Sequence, residues 1–265
     1  MSGGKVRNSA TPCARLHDGA PTGCDHVWHK TKRIDLKMID NRPSAASLRD
    51  ALWFHLAFFL LAVPVAATVP DKSLGKAILI LAALYNILLP AVANWRRHRQ
   101  WYLLWVFLLP LSFTLPMADW MLVKRMGTLV FPDHGVPKFA NVVPVYFAGL
   151  WIMLLWPVSL FASAAPRKWS YLAAAVLGLA VFVGWEWAAR PLELWHARNV
   201  QMFAGFALYP LIPEALLCVA TLWMWRATTM SPRWQKVLGA VSVTFFYAGA
   251  LSLFLLWVEL GKKLI

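Results

Sequence analysis

Glu214 is the residue whose type and position most clearly suggest chemistry. It lies in FAGFALYPLIPEALLCVATLWMW (203–225), an apolar run that is long enough to cross a bilayer and carries no other charge. Glu214 is about eleven residues into this run, which at ~1.5 Å per residue is ~16 Å, roughly half of a hydrocarbon core ~30 Å thick. An ionisable group at that depth costs at least ~2.5 kcal/mol, so it usually faces a bundle interior and has a function. Because burial favours the uncharged form of a carboxyl, Glu214 can remain protonated and act as an acid.

Two further acids stand at the ends of apolar segments, each followed by a tryptophan. Asp119 precedes Trp120, and Glu186 precedes Trp187. A protonated carboxyl in an apolar pocket, with a second acid nearby, suits the protonation of an alkene or the movement of a proton. We therefore predict Glu214, Glu186 and Asp119 as the catalytic residues.

The two acid–tryptophan pairs open two long loops of similar design, 116–147 and 184–214. Each loop contains a histidine and several basic residues, and each leads into an apolar segment with an early proline, which allows a parallel internal repeat. Aromatic faces in these loops can stabilise a cation formed during the reaction. The residues that we predict to bind, orient or relay are Arg190, His196, His134, Asp133, Trp187, Trp195 and Trp120. Asp133 and His134 also fit a turn, in FPDHGVP.

Prolines around Glu214 predict distorted backbone at this point. Pro210 and Pro213 each remove a backbone donor, and broken helix is tolerated in a membrane only where it is buried or lines a cavity. Glu214 is therefore expected to face a cavity. The alternative is structural: Glu214 hydrogen-bonds a neighbouring helix, or pairs with Arg190 or Arg198 to fix packing.

The composition indicates what must position these residues. The chain is 60% hydrophobic and only 14% charged, whereas soluble domains carry about 25% charged residues. Seven apolar segments are each near the ~20 residues that a spanning helix needs. They lie at about 50–69, 74–95, 100–119, 141–164, 169–187, 203–225 and 235–258. These features predict an all-α polytopic membrane protein, a bundle of seven transmembrane helices.

The distribution of charge predicts the orientation of the bundle. Seventeen of the 26 Lys and Arg residues lie in the N-terminal segment and in the loops at 96–99, 165–168 and 226–236. The positive-inside rule therefore places the N-terminus in the cytoplasm and the C-terminus outside, in the cytoplasmic membrane of the cell. Residues 1–49 are expected to form a disordered basic tail, with Met38 as an alternative start, ahead of a transmembrane domain at 50–265.

The same pattern limits the partners and cofactors. Because the net charge of +14 follows the membrane topology, it indicates anionic lipid and not nucleic acid. No HxxxH or HxxHH cluster lies in or near the apolar segments, and no phosphate loop or Asp-rich metal-diphosphate motif is present. We expect no metal and no cofactor, with membrane lipids and an apolar, lipid-like substrate as partners. The sequence leaves open whether the protein forms homo- or hetero-oligomers.

The stretch WEWAARPLELW…G…PLIPEALLC resembles the signature of membrane-integral lycopene cyclase domains of the heterodimeric bacterial and fused fungal type. The counterparts in this chain are Trp185–Glu186, Trp195, Gly205 and Pro213–Glu214. The position of the second glutamate in that signature is Ala215 here. The resemblance implies a helical bundle that cyclises a long isoprenoid by acid-initiated chemistry without redox steps, with Glu214 in the place of a catalytic carboxylate.

Two classes of function therefore stay open at this point. One is an integral membrane enzyme, such as a cyclase or isomerase, that acts on an isoprenoid or related lipid with a buried glutamate as proton donor. The other is a non-enzymatic membrane protein, either a transporter or an assembly subunit, in which Glu214 is structural.

Overall fold

The helical domain begins slightly before the predicted boundary. The computed structural model describes residues 42–261, so the predicted disordered tail and alternative start lie outside the described residues, apart from the last few positions of that tail. Helix α1 spans Ala45–Thr68, and Ser44 caps its N-terminus by accepting a hydrogen bond from a backbone N–H three residues on. This cap places the helix start five residues ahead of position 50.

Eight α-helices, seven of them long, account for most of the described residues. After α1 come α2 (Asp71–Trp95), α3 (Arg99–Thr114), α4 (Pro116–Met121), α5 (Phe147–Ala164), α6 (Arg167–Ala189), α7 (Leu211–Thr228) and α8 (Arg233–Gly261). Among the described residues, six helical segments are long and apolar enough to cross a membrane: α1, α2, α3 continued to Met126, α5, α6 continued to Leu192, and α8. The chain is thus an all-α protein with the character of a multi-pass membrane protein. Helix α7 is the remaining long helix of the described residues, and Glu214 and Arg226 lower its hydropathy.

Helix α7 corrects the expected position of Glu214. The predicted segment 203–225 becomes a helix that begins only at Leu211, because the preceding residues form a hairpin whose turn has positive φ at Ala204 and Gly205. Proline lacks an N–H, which is no loss in the first turn of a helix. Pro210 and Pro213 therefore start the helix and do not break it. Glu214 lies in the first turn, near the helix end, and not at the midpoint.

The two long loops contain six short strands. These are β1 (Leu129–Val130), β2 (Lys138–Phe139), β3 (Val143–Pro144), β4 (His196–Ala197), β5 (Met202–Phe203) and β6 (Phe206–Ala207). Strands β2 and β3 form one antiparallel hairpin, and β5 and β6 form another. Strand β1 pairs with β4, so the two loops are joined directly. We call the side of the bundle that carries these loops the loop side.

The pairing of β1 with β4 reveals the symmetry between the loops. The pairs are Leu129 with Ala197 and Val130 with His196, and each residue of β4 lies 67 positions after a residue of β1. Glu186 also lies 67 positions after Asp119. Both loops run from an acid through a short strand and a hairpin into a helix, as the predicted repeat requires. Asp119 and Glu186, near the helix ends that precede the two loops, line the same part of the molecule.

Helix α5 is central to the packing, and α6 packs tightly on α7. Most side chains of α5 are buried against α2, α3, α6 and α7. Helices α6 and α7 are in tight contact at Gly178, where an added Cβ would lie 2.6 Å from the Sγ atom of Cys218. This contact fixes the relative position of the helices that carry Glu186 and Glu214.

Candidate functional site

The three predicted acids line one cavity at the loop side of the bundle. Its volume is about 70 Å³, and since a water molecule needs roughly 10–15 Å³ by this measure, it can hold a few waters or one small chemical group. The lining side chains come from α4 to α8 and from both long loops. They are Asp119, Leu122, Leu129, Phe131, Phe147, Leu150, Trp151, Leu154, Phe182, Trp185, Glu186, Trp195, Ala197, Ala207, Tyr209, Pro210, Glu214 and Tyr247.

Two of the acids are buried with an oxygen that has no hydrogen-bond partner. Asp119 is 5% exposed and Glu214 is 6% exposed. Oδ2 of Asp119 and Oε2 of Glu214 accept no hydrogen bond from any described residue. Buried polar atoms are nearly always paired, so each such atom calls for an explanation. Because both oxygens belong to residues that line the same cavity, a group inside the cavity is the natural partner for each.

The chain reaches Asp119 through an interruption in a long helix. Pro116 lacks the N–H that would continue the hydrogen-bond ladder of α3, so the helix restarts there as α4. One π-helical turn, Leu122–Met126, follows, and Gly127 ends it with a left-handed φ of 65°. These local features turn the chain sharply into the first loop. As a result the side chain of Asp119 faces the bundle interior.

Glu186 lies in the last turn of α6 and is held by a tryptophan from its own loop. The indole Nε1–H of Trp195 donates a hydrogen bond of 3.0 Å to Oε1 of Glu186. The ring of Trp195 in turn lies 6.0 Å from that of Trp185 and 5.8 Å from that of Phe147, edge to face. Glu186 is therefore oriented by an aromatic group that is itself packed on both sides.

Tyr209 lines the same cavity as the three carboxyl groups. Its hydroxyl lies 3.1 Å from Oγ1 of Thr128, which connects the two loops. The pKa of Tyr209 is raised to about 12, mainly by burial and in addition by the charges of Glu214, Asp119 and Glu186, against the opposing effect of the hydrogen bond with Thr128. The phenol is thus close enough to all three acids for their charges to act on it.

The rest of the cavity wall consists of aromatic and aliphatic side chains, and no basic side chain among the described residues lines it. The ring of Trp151 lies 5.9 Å from those of both Phe182 and Tyr247. The indole Nε1–H of Trp151 lies close enough to Asp119 to interact with its carboxyl group, but the two do not form a well-aligned hydrogen bond. Aromatic faces attract cations, so a positive charge formed in this cavity would meet aromatic rings and carboxyl groups. Across residues 42–261, no three acidic, histidine or cysteine side chains are arranged to hold a metal ion.

Six of the ten predicted residues do not line the cavity. Arg190 is exposed and donates to the carbonyl oxygen of Ala204, with its guanidinium 4.2 Å from the ring of Phe206. Its role is to hold the β5–β6 hairpin, because Gly205 leaves room for its side chain. Trp187 is 70% exposed, since it lies on the face of α6 opposite the packed one. Trp120, Asp133, His134 and His196 likewise do not line the cavity.

Each of these other residues has a local role or an exposed position. Asp133 is exposed, and its Oδ1 accepts a hydrogen bond from the backbone N–H of Gly135, which is the turn that FPDHGVP also predicted. His134 is buried between two backbone carbonyls. His196 is exposed on strand β4. The guanidinium of Arg125 lies 5.6 Å from the ring of Trp120.

Sequence reasoning missed several aromatic residues of the wall. Tyr209, Tyr247, Trp151 and Phe182 are all buried and line the cavity. Tyr209 could have been found, because it lies five residues before Glu214, just ahead of the helix start. The other three come from the middle of apolar segments, where an aromatic residue facing a cavity has the same sequence pattern as one facing the core.

Comparisons with curated proteins and with solved structures found no match. A family model described as a domain of unknown function, DUF6989, matches residues 116–258, more than half of the chain. The matched region begins at the helix of Asp119 and includes both long loops, Glu186 and Glu214. It therefore contains every acid of the cavity. The chain belongs to the DUF6989 family.

Proposed function

We propose that the protein is an integral membrane enzyme that acts on an isoprenoid or related lipid by acid-initiated, non-redox chemistry, with Glu214 as the proton donor. The observation that carries the proposal is the pair of buried carboxyl groups, on Asp119 and Glu214, whose unpartnered oxygens belong to one aromatic cavity. A protonated carboxyl in such a site can donate to a carbon–carbon double bond. The aromatic wall then stabilises the cation that forms.

The proposed reaction balances without any cofactor. The proton of Glu214 moves to one carbon of a double bond, so that a C–H bond forms, the π pair is consumed and the adjacent carbon becomes cationic. The π pair of a second double bond in the chain forms a bond to this carbon and closes a ring, and the positive charge moves to the other carbon of that double bond. Loss of a proton from a neighbouring carbon to Asp119 or Glu186 restores a double bond. The product is an isomer of the substrate, and a proton returned to Glu214 completes the cycle.

We also propose the orientation of the protein in the membrane. Helix α7 would also span the membrane, which gives seven spanning helices. The N-terminus would then lie in the cytoplasm, and the C-terminus and the loop side would lie outside the cytoplasmic membrane. Support comes from the basic residues, which concentrate in the loops opposite the loop side. The acid cavity would then open near the outer leaflet.

The structural role for Glu214 has less support. Glu214 forms no salt bridge with any described residue, and Arg190 instead contacts Ala204 and Phe206. A carboxyl kept only for packing would be expected to have both oxygens satisfied. A buried carboxyl with an unpaired oxygen destabilises the fold, so its retention is better explained by function.

The test compares the protein with its Glu214→Gln variant, and uses Glu259→Gln as a matched control. Glu259 lies at the far end of α8, where its Oε1 accepts a hydrogen bond of 2.8 Å from the backbone N–H of Gln201. Lipids are extracted from cells that express each form and from cells that lack the protein, and are analysed by liquid chromatography and mass spectrometry. We expect a lipid of unchanged mass and altered ring count in the presence of the native protein and of Glu259→Gln, but not of Glu214→Gln.

Two outcomes would contradict the proposal. One is the same lipid profile in all cells. The other is a large fall in the melting temperature of Glu214→Gln, which would assign Glu214 a structural role. If lipids are unchanged but solute uptake or efflux depends on both the proton gradient and Glu214, the protein is a transporter.

A further inference from the structure

An apolar groove adjoins the acid cavity on the side facing α1. It has a volume of about 500 Å³ and is formed by α1, α2, α5, α6 and the segment that follows α6. No charged side chain lines it. Its lining residues are Phe59, Ala62, Val63, Ala66, Ala67, Ile78, Leu81, Leu150, Met153, Leu154, Ala180, Val181, Gly184, Trp185, Ala188, Ala189, Pro191, Leu192 and Leu194. We call this space the α1–α6 groove.

The α1–α6 groove and the acid cavity share part of their walls. Leu150, Leu154 and Trp185 line both spaces. Trp185 is next in sequence to Glu186, and its ring lies 6.0 Å from that of Trp195, which donates to Glu186. A single layer of side chains therefore separates the two spaces. Rotation of Trp185 or movement of the two leucines would connect them.

The volumes of the two spaces determine which part of a substrate each can hold. The acid cavity, at about 70 Å³, takes only one end of a long lipid, whereas the α1–α6 groove is about 500 Å³. A second apolar groove between α7 and α8, about 400 Å³ in volume, shares no lining residue with the acid cavity. Of these two grooves, only the α1–α6 groove continues from the acids.

On this basis we infer that the α1–α6 groove binds the hydrocarbon tail of an acyclic isoprenoid, whose reacting end passes Trp185 into the acid cavity. The inference rests on the proposed function and specifies its substrate as a linear chain that enters sideways from the membrane. The exposure of Phe59 and Val63 on α1 leaves the groove open toward the lipid. The apolar lining matches a hydrocarbon and offers no partner to a polar headgroup.

Gly184 lines the groove and has open space beside it, so a larger side chain there should fill the groove. An added Cβ at Gly184 has no heavy atom within 4 Å, so a phenylalanine there would project into the open groove. Gly249 on α8 is the matched control, because an added Cβ there also meets nothing within 4 Å, and it lines none of the three spaces described above. Both changes replace a helical glycine by the same residue.

The experiment measures binding separately from turnover. Full-length protein carrying Glu214→Gln is reconstituted in nanodiscs of dioleoyl phosphatidylcholine, and binding of the linear C20 alcohol geranylgeraniol is followed by native mass spectrometry. We expect Gly184→Phe to weaken binding at least tenfold and Gly249→Phe to leave it within twofold. Ala188 lines the same groove, so Ala188→Phe is expected to weaken binding as Gly184→Phe does. Agreement between the two variants would show that the effect comes from filling the groove.

Each alternative result has a defined meaning. Equal binding by Gly184→Phe and Gly249→Phe, or no binding by the parent protein, overturns the inference. Displacement of geranylgeraniol by stearic acid at equal concentration overturns it as well, because the groove would then be ordinary lipid-facing surface. If Gly184→Phe weakens binding but the native protein changes no lipid in cells, the inferred binding groove is supported and the proposed enzymatic function is rejected.

Discussion

Gly178→Ala tests whether the tight contact between α6 and α7 holds the site together. An added Cβ at Gly178 would lie 2.6 Å from Sγ and 2.9 Å from Cβ of Cys218, whereas carbon contacts are normally about 3.5–4.0 Å. Cys218 is fully buried, so its side chain cannot relieve the contact by turning into solvent. Restoring a normal distance to Sγ therefore requires a displacement of about 1 Å, shared between the Cys218 side chain and the two helices. That shift would also move Glu186 relative to Glu214.

The expected magnitude combines two opposing effects. Overpacking of a dense interior costs about 1–3 kcal/mol, while replacing a helical glycine by alanine gains up to ~1 kcal/mol. Gly249→Ala isolates the second effect, because its added Cβ meets nothing within 4 Å. The difference in unfolding free energy between Gly178→Ala and Gly249→Ala should therefore be about 1–3 kcal/mol, with Gly178→Ala the less stable.

Unfolding of the purified variants in mixed detergent micelles, followed by tryptophan fluorescence, provides the measurement. Combining Gly178→Ala with Cys218→Ala removes the sulfur contact but leaves the 2.9 Å contact between β-carbons, so we expect partial rescue. Their coupling energy should be about 0.5–3 kcal/mol. Equal stability of Gly178→Ala and Gly249→Ala, or no rescue in the double variant, would refute the reasoning.

Three further predictions concern the loops and the cavity. His134→Ala should lower the unfolding free energy by about 1–3 kcal/mol, because Nδ1 and Nε2 of His134 lie 3.3 and 3.2 Å from two backbone carbonyl oxygens. His196 is exposed, so the unfolding free energy of His196→Ala should stay within about 0.5 kcal/mol of the native value. Gly135→Ala should destabilise more than Gly127→Ala in thermal melts, because both have positive φ but only Gly135 would press a Cβ onto a carbonyl oxygen of α2. The free energy of unfolding of the native protein should fall between pH 10 and about 12, because the unfolded chain releases a proton that Tyr209 retains in the fold. Over that pH range Tyr209→Phe should lose about 2–3 kcal/mol less unfolding free energy than the native protein, as measured by unfolding titrations.

Apolar segment length and acid–tryptophan spacing were enough to predict much of the fold. Within residues 42–261, six helical segments meet the length and hydropathy of a membrane span, and most of their ends lie within a few residues of the predicted ones. The segment at 203–225 was the exception. Hydropathy does not distinguish an apolar hairpin from the helix that follows it, and here the hairpin ends at Ala207 before α7 begins at Leu211. The predicted position of Glu214 midway along a helix was wrong for that reason, because Glu214 lies in the first turn of α7.

The sequence by itself determined which acids lie in apolar surroundings, because a carboxyl beside a long uncharged run is visible from residue types alone. Asp119, Glu186 and Glu214 were identified in this way. Only the tertiary structure decided that they meet around one cavity, and that Arg190, His134 and Trp187 do not join them. Convergence depends on the pairing of β1 with β4 and on the packing of α6 against α7. Both are contacts between residues far apart in the chain, so local pattern cannot specify them.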